Sequence, residues 1–175
     1  MLKSQDILVA LKLVALGDNP WSYESLSYSL GMSLSQLHSS VKRCKGLGLL
    51  RLEGKRIIPN VNNLEELIVH GLKYVFELKR GALTRGIPTS YAAPPLDKIL
   101  IASKEEPPPV WPDPEGSARG FSFSPIYKYA PEAAKKDRKL YEMLALIDAI
   151  RSEGAREKQI AIEELKSRFR ETSWI

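Results

Sequence analysis

The stretch SYESLSYSLGMSLSQLHSSVKRCKGLGLLRLEGKRIIP, Ser22 to Pro59, decides how this chain is read. Leu26 and Leu30 are four apart and share one face of a first helix. Gly31 suits the left-handed conformation that ends a helix. Ser33 then stands where an N-cap belongs, its hydroxyl placed to accept a backbone N–H of the next helix. In that second helix Leu37, Val41 and Cys44 form an apolar stripe with Ser40 beside it, and Cys44 reads as core. The opposite face carries Ser35, Ser39 and Lys42, flanked by Gln36 and Arg43. Small hydroxyls, an amide and cations can lie close to a groove and reach base edges or phosphates. Gly46 and Gly48 break the helix, and two β-prone runs around Gly54 predict a hairpin with Lys55 and Arg56 near its tip.

From Lys42 to Arg56 there are six basic residues and one acid, Glu53. A solvated face usually mixes both signs, so this bias points to a polyanion. The Leu30–Ser33 turn, the Val41–Arg43 segment and the Leu47–Leu50 exit resemble the winged helix-turn-helix of bacterial transcription regulators of the MarR-like group. That resemblance covers about a third of the chain, and many winged-helix families share the pattern. It implies a DNA-binding regulator, a repressor, working as a homodimer on double-stranded DNA. Recognition helices would then meet successive major-groove faces about 34 Å apart. Ser35, Gln36, Ser39 and Arg43 would contact bases or the groove floor. Ser33, Lys42, Lys45, Lys55 and Arg56 would hold phosphates. Winged helices also serve as protein-binding modules, so a protein-only role stays open.

Composition fits this picture without requiring it. The chain has 175 residues, 43% hydrophobic and 27% charged, with net charge +5. One large domain or two small ones would fit. A single cysteine cannot form an internal disulfide. The N-terminal apolar run is interrupted by Asp6 and Lys12, no cleavage-site pattern is apparent, and no segment is long and apolar enough to span a bilayer. A cytoplasmic protein with no membrane association is the expectation.

The predicted fold is mainly α with a small β-wing, an α+β arrangement in three parts. Residues 1–78 form the winged helix-turn-helix domain. Ser4 caps a first helix through about Leu16, with Ile7, Leu8, Leu11 and Val14 on one face. Trp21 packs at the start of the next helix. Asn63 and Glu66 resemble a capping box, so a further helix begins there, and Lys73–Leu78 either continues it, the preferred reading, or turns into a short strand. Residues 79–131 form a proline-rich, mostly irregular segment that wraps the helices. Ten of the twelve prolines lie between Pro88 and Pro131, which argues against long regular elements. The abundant apolar residues there argue against a solvated linker. Short extended pieces are expected near Val110-Trp111 and Gly120–Phe123, a turn at Asp113–Gly116, and an exposed tip at Lys104–Pro109. Residues 132–175 form a C-terminal helical pair broken at Gly154, ending on Trp174 and Ile175.

Within the middle segment, Arg80–Tyr91 alternates arginines, glycines and hydroxyls. That suits phosphate contact or docking onto an acidic partner, or it serves backbone geometry alone. The string from Arg80 to Leu96 resembles one found in antitoxin-type regulators encoded beside nucleotidyltransferase-like toxins. The resemblance makes Arg80, Thr84, Arg85 and Tyr91 candidates for binding a toxin-like protein partner. No enzyme is expected. Two histidines and one cysteine give no zinc set, and there is no phosphate-binding glycine loop. No catalytic residue, metal or cofactor is therefore assigned.

Overall fold

The computed structural model describes residues 1–100, 106–152 and 154–171. Trp174, Ile175 and the Lys104-Glu105 part of the expected tip lie outside them. The architecture is α+β. Helix α1 spans Ser4–Leu16, α2 Tyr23–Leu30 and α3 Leu34–Gly46. Strands β1 (Leu50–Glu53) and β2 (Arg56–Pro59) form an antiparallel hairpin, with Leu52 opposite Ile57. Gly54, the first of the two turn residues, has φ 62, which a glycine adopts at no steric cost. Then come α4 (Val61–His70) and the short α5 (Leu72–Val75). The cap of α4 is Asn60, whose side chain accepts the Asn63 N–H, so the helix starts three residues before the Asn63–Glu66 box predicts. Asn63 instead donates its amide to Gly48 O at 2.9 Å, tying α4 to the turn after α3.

Residues 79–131 are more regular than their prolines suggest. Strands β3 (Arg80–Pro88), β4 (Pro109–Pro112) and β5 (Ala118–Phe123) close into a small barrel. β3 pairs antiparallel with both neighbours, and β4 runs parallel to β5. Prolines at 88, 109 and 112 sit at strand ends, where the missing donor does least harm. The expected extended pieces and the Asp113–Gly116 turn are present: Asp113 Oδ1 accepts the Glu115 N–H at 2.8 Å. Closure also explains the glycines. A Cβ on Gly86 would collide with the Trp111 carbonyl, one on Gly120 with the Pro108 carbonyl, and one on Gly116 with the Gly86 backbone. The alternation in Arg80–Tyr91 thus serves strand contact at Gly86. A single 3-10 turn (Ser90–Ala92) and α6 (Leu96–Ile99) follow β3.

The helix expected from Glu132 to Ile150 is divided at Asp137 into α7 (Ala130–Lys136) and α8 (Arg138–Arg151). Asp137 leaves the helical conformation, caps α8 by accepting the Leu140 N–H, and pairs with Lys12 of α1 at 2.8 Å. Helix α9 spans Ala155–Glu171 and packs on α8 as the second member of the expected pair. But α8 is no outer helix: every residue from Met143 to Arg151 is buried. The same holds for α1 from Asp6 to Val14, where the sequence shows one apolar face. One hydrophobic core contains Leu11, Leu37, Leu64, Trp111, Ile147 and Leu165, and so draws on all three sequence segments. The compositional shifts near residues 78 and 131 therefore do not separate independent cores.

Because an added methyl must displace backbone in the barrel, Gly86→Ala should destabilise the protein by roughly 1–3 kcal/mol. The control is Gly46→Ala, at a helical position with open space around it, which should be neutral or stabilise by about 0.4–1 kcal/mol. Urea unfolding midpoints of the two variants check this; equal midpoints would remove close approach as the reason for Gly86.

Candidate nucleic-acid interface

Helix α3 is anchored at its N-terminal end. Ser27 Oγ donates to Met32 O across the turn from α2, where Gly31 takes the left-handed conformation. Ser33 accepts the Gln36 N–H at 3.1 Å, and Gln36 Oε1 accepts the Ser33 N–H at 3.1 Å, a reciprocal cap. Leu37, Ser40, Val41 and Cys44 are buried, as their spacing predicts. Burial pushes the Cys44 thiol up to about 12, so it stays protonated and inert at neutral pH.

The inner side of α3 carries a polar clamp. Asp6 of α1, fully buried, accepts the Lys3 N–H at 2.8 Å, the Ser40 hydroxyl, and the Arg43 guanidinium through Nε at 2.9 Å and Nη2 at 2.8 Å. This bidentate pairing fixes the rotation of α3 against α1. It also corrects one expectation. Arg43 is turned inward, its side chain 20% exposed, and is spent on Asp6 rather than presented to a base. The carboxylate raises the Arg43 pKa further, chiefly by accepting its hydrogen bonds. A buried acid attracts the nearest guanidinium because an unpaired buried carboxylate is costly.

The outer side is bare. Ser33, Ser35, Gln36, Ser39, Lys42 and Lys45 are all exposed. At 100° per residue, Ser35, Ser39 and Lys42 share one face, and Lys45 extends it towards the hairpin. Gln36 has its carbonyl committed to the cap, leaving its NH2 group as donor. Two residues on this side were not singled out by sequence. His38 is exposed between Ser35 and Lys42, stacked on Tyr23 with ring centroids 3.8 Å apart. Leu34, 44% exposed at the start of α3, offers an apolar contact. Both fall at helical spacing from the predicted contact residues, but an imidazole and a leucine do not by themselves mark a groove face.

In the hairpin, Lys55 and Arg56 are exposed at the turn. Arg56 Nη2 donates to Asp18 O at 3.3 Å and faces that residue's carboxylate at 4.0 Å, while Arg51 faces Glu53 at 3.7 Å. These exposed pairs are weak. Of the six cations between residues 42 and 56, Lys42, Lys45 and Lys55 have no carboxylate partner among the described residues.

The candidates in the middle segment do not share one arrangement. Arg80 lays its guanidinium over Phe121, 4.1 Å from the ring centroid. Thr84 is half-buried, with its hydroxyl 3.5 Å from Arg85 O. Arg85 is exposed but donates through Nε to Gly116 O at 2.6 Å, bracing the barrel turn. Tyr91 is half-buried, and burial raises its phenol pKa.

Comparison with protein-family models, with curated proteins and with solved structures gave no match for this chain. No helix among the described residues is long and apolar enough to cross a membrane.

Arg43→Ala should lower stability by roughly 2–4 kcal/mol, because it strands a buried carboxylate. Lys42→Ala, one residue away on the bare side, should change it by less than about 0.5 kcal/mol. Urea melts compare the two, and similar losses would refute the inward clamp. Separately, Cys44 should resist thiol reagents in the native protein and react fully after unfolding. Rapid labelling at pH 7–8 in the folded state would contradict its burial.

Proposed function

We propose that the chain is a DNA-binding regulator of the winged helix-turn-helix kind, with α3 laid in the major groove and the β1–β2 hairpin against the neighbouring backbone. The observation that carries this is the two-sidedness of α3. Its inner side is clamped to α1 through Asp6, while Ser35, Ser39, Lys42 and Lys45 stand bare on the other. A reading helix needs a fixed roll about its axis and a polar, cationic face with nothing packed on it. Phosphate contacts come from Ser33, Lys42, Lys45 and Lys55, with Arg56 able to leave its weak contact with Asp18. Base contacts come from Ser35, Gln36 and Ser39, with His38 and Leu34 added at the margins. Arg43 acts as a positioning residue. A two-fold pair of such chains would read half-sites about one helical turn apart.

Exposed Leu83, set between Arg80 and Arg85 on β3, favours a second reading in which residues 79–131 dock a protein partner such as a toxin-like enzyme. Both roles can coexist in one chain.

A mobility-shift assay on the DNA upstream of the chain's own gene, repeated across salt concentrations, tests the first reading. The triple variant K42A/K45A/K55A should flatten the slope of log K against log salt by about three units if each lysine neutralises one phosphate. No shift with the intact chain, together with a stoichiometric protein partner in native pull-down, would replace the DNA reading with the second.

A further inference from the structure

A second site lies away from α3. Between α5, the start of β3, the Ser90-Tyr91 corner and the α8–α9 junction there is a cavity of about 830 Å³, in the range of small-molecule sites. None of its described wall residues belongs to α3 or the hairpin. Two buried side-chain atoms have no hydrogen-bond partner among the described residues, Ser90 Oγ and Arg151 Nε, and both residues stand in this wall. Unmade bonds at buried polar groups are costly and call for an explanation. Ser90 is 1% exposed and holds φ 54, the only non-glycine with positive φ among the described residues. Strain of this kind persists where surrounding structure enforces it, and it gathers at ligand sites.

The charges in the wall are equally unusual. Lys73 and Lys158 are neighbours: burial and the contact with Lys73 lower the Lys158 pKa, while contacts with Tyr74 and Lys158 raise that of Lys73. Neither has a carboxylate partner among the described residues. Arg80 supplies a third cation. Of the two acids among the described wall residues, Glu157 places its carboxylate beside Gly154 and acts on the Tyr91 phenol, and Glu77 is exposed. Tyr74, 77% exposed, and half-buried Tyr91 give the cavity aromatic sides. Juxtaposed ammonium groups repel until a doubly charged anion sits between them. A phosphate monoester carries about −1.5 to −2 charges at pH 7.

We propose that this cavity binds a small phosphate monoester bearing a planar ring, of nucleoside monophosphate size. The phosphate lies between Lys73, Lys158 and Arg80. The Ser90 hydroxyl donates to it, and a tyrosine face receives the ring. The proposal does not rest on DNA binding.

Isothermal titration of the full chain with the four ribonucleoside 5′-monophosphates, their parent nucleosides and inorganic phosphate tests it. At least one monophosphate should bind, with its nucleoside and inorganic phosphate each at least about tenfold weaker. K73A/K158A should weaken that binding by about tenfold or more. Ser90→Gly, which removes the hydroxyl while relaxing the backbone, should also weaken it. K42A/K45A on α3 should leave it unchanged. No heat with any of the four up to roughly 5 mM, a nucleoside matching its monophosphate, or unaltered affinity in K73A/K158A would overturn the proposal.

Discussion

One buried carboxylate holds the two halves of this molecule together. Asp148, 1% exposed in the last turn of α8, accepts the Thr89 hydroxyl and the Trp111 indole N–H through Oδ2, both at 2.7 Å. Its other oxygen accepts Arg151 Nη2 at 2.7 Å. Arg151 in turn donates to Phe76 O at 2.9 Å and Ser124 O at 3.2 Å. The end of β3, the middle of β4, the residue after β5 and the exit of α5 therefore all converge on two side chains one helical turn apart. The barrel is too small to bury Trp111 within itself, and that ring joins the common core beside Tyr141 of α8. α8 supplies the apolar surface, and Asp148 with Arg151 supplies the direction. The Asp148 charge is tolerable at that depth because both of its oxygens are hydrogen-bonded. Tyr141, donating to Pro88 O at 2.6 Å, repeats the same connection about two turns earlier.

The same logic recurs at the other buried helix. α1 has no exposed side between Asp6 and Val14, so it does not declare an orientation by hydropathy. Asp6 gives it one, gathering Lys3, Ser40 and Arg43 around a single carboxylate. In both helices an acid placed among apolar residues acts as a registry device. Hydrophobic burial supplies the driving force, while the hydrogen-bonded acid selects one rotation among several that would bury similar area.

This division explains what the sequence disclosed. Local rules placed α2, its glycine stop, the Ser33 cap, the stripe Leu37-Val41-Cys44 and the hairpin around Gly54, because each depends on neighbours within four residues. The acidic turn at Asp113 was legible for the same reason. What escaped was long-range. Nothing adjacent to Arg43 shows that its partner is Asp6, thirty-seven residues earlier. Asp148 looks like one more charge on a mixed helix until Thr89 and Trp111 are brought to it. The prolines correctly reported the lack of long uninterrupted ladders, yet a barrel of strands ending at prolines needs none. Gly86 and Gly120 gave no hint of the carbonyls they would meet. For the bare face of α3, residue types were enough to find Ser35, Ser39 and Lys42, whereas the inward turn of Arg43 required the fold.

The burial of α1 beneath α8 also has a bearing on the order of synthesis. Lys12 meets Asp137 across 125 positions, and the apolar surface of α1 is covered in part by a helix made more than a hundred residues later. At about 5–20 residues per second, the ribosome leaves α1 waiting for several seconds before that cover emerges. An apolar helix left uncovered during synthesis exposes surface of the kind that holding chaperones bind. The clamp of α3 joins Asp6 to Ser40 and Arg43 and can close as soon as α3 is made, whereas the cover that α8 gives α1 comes only after residue 137.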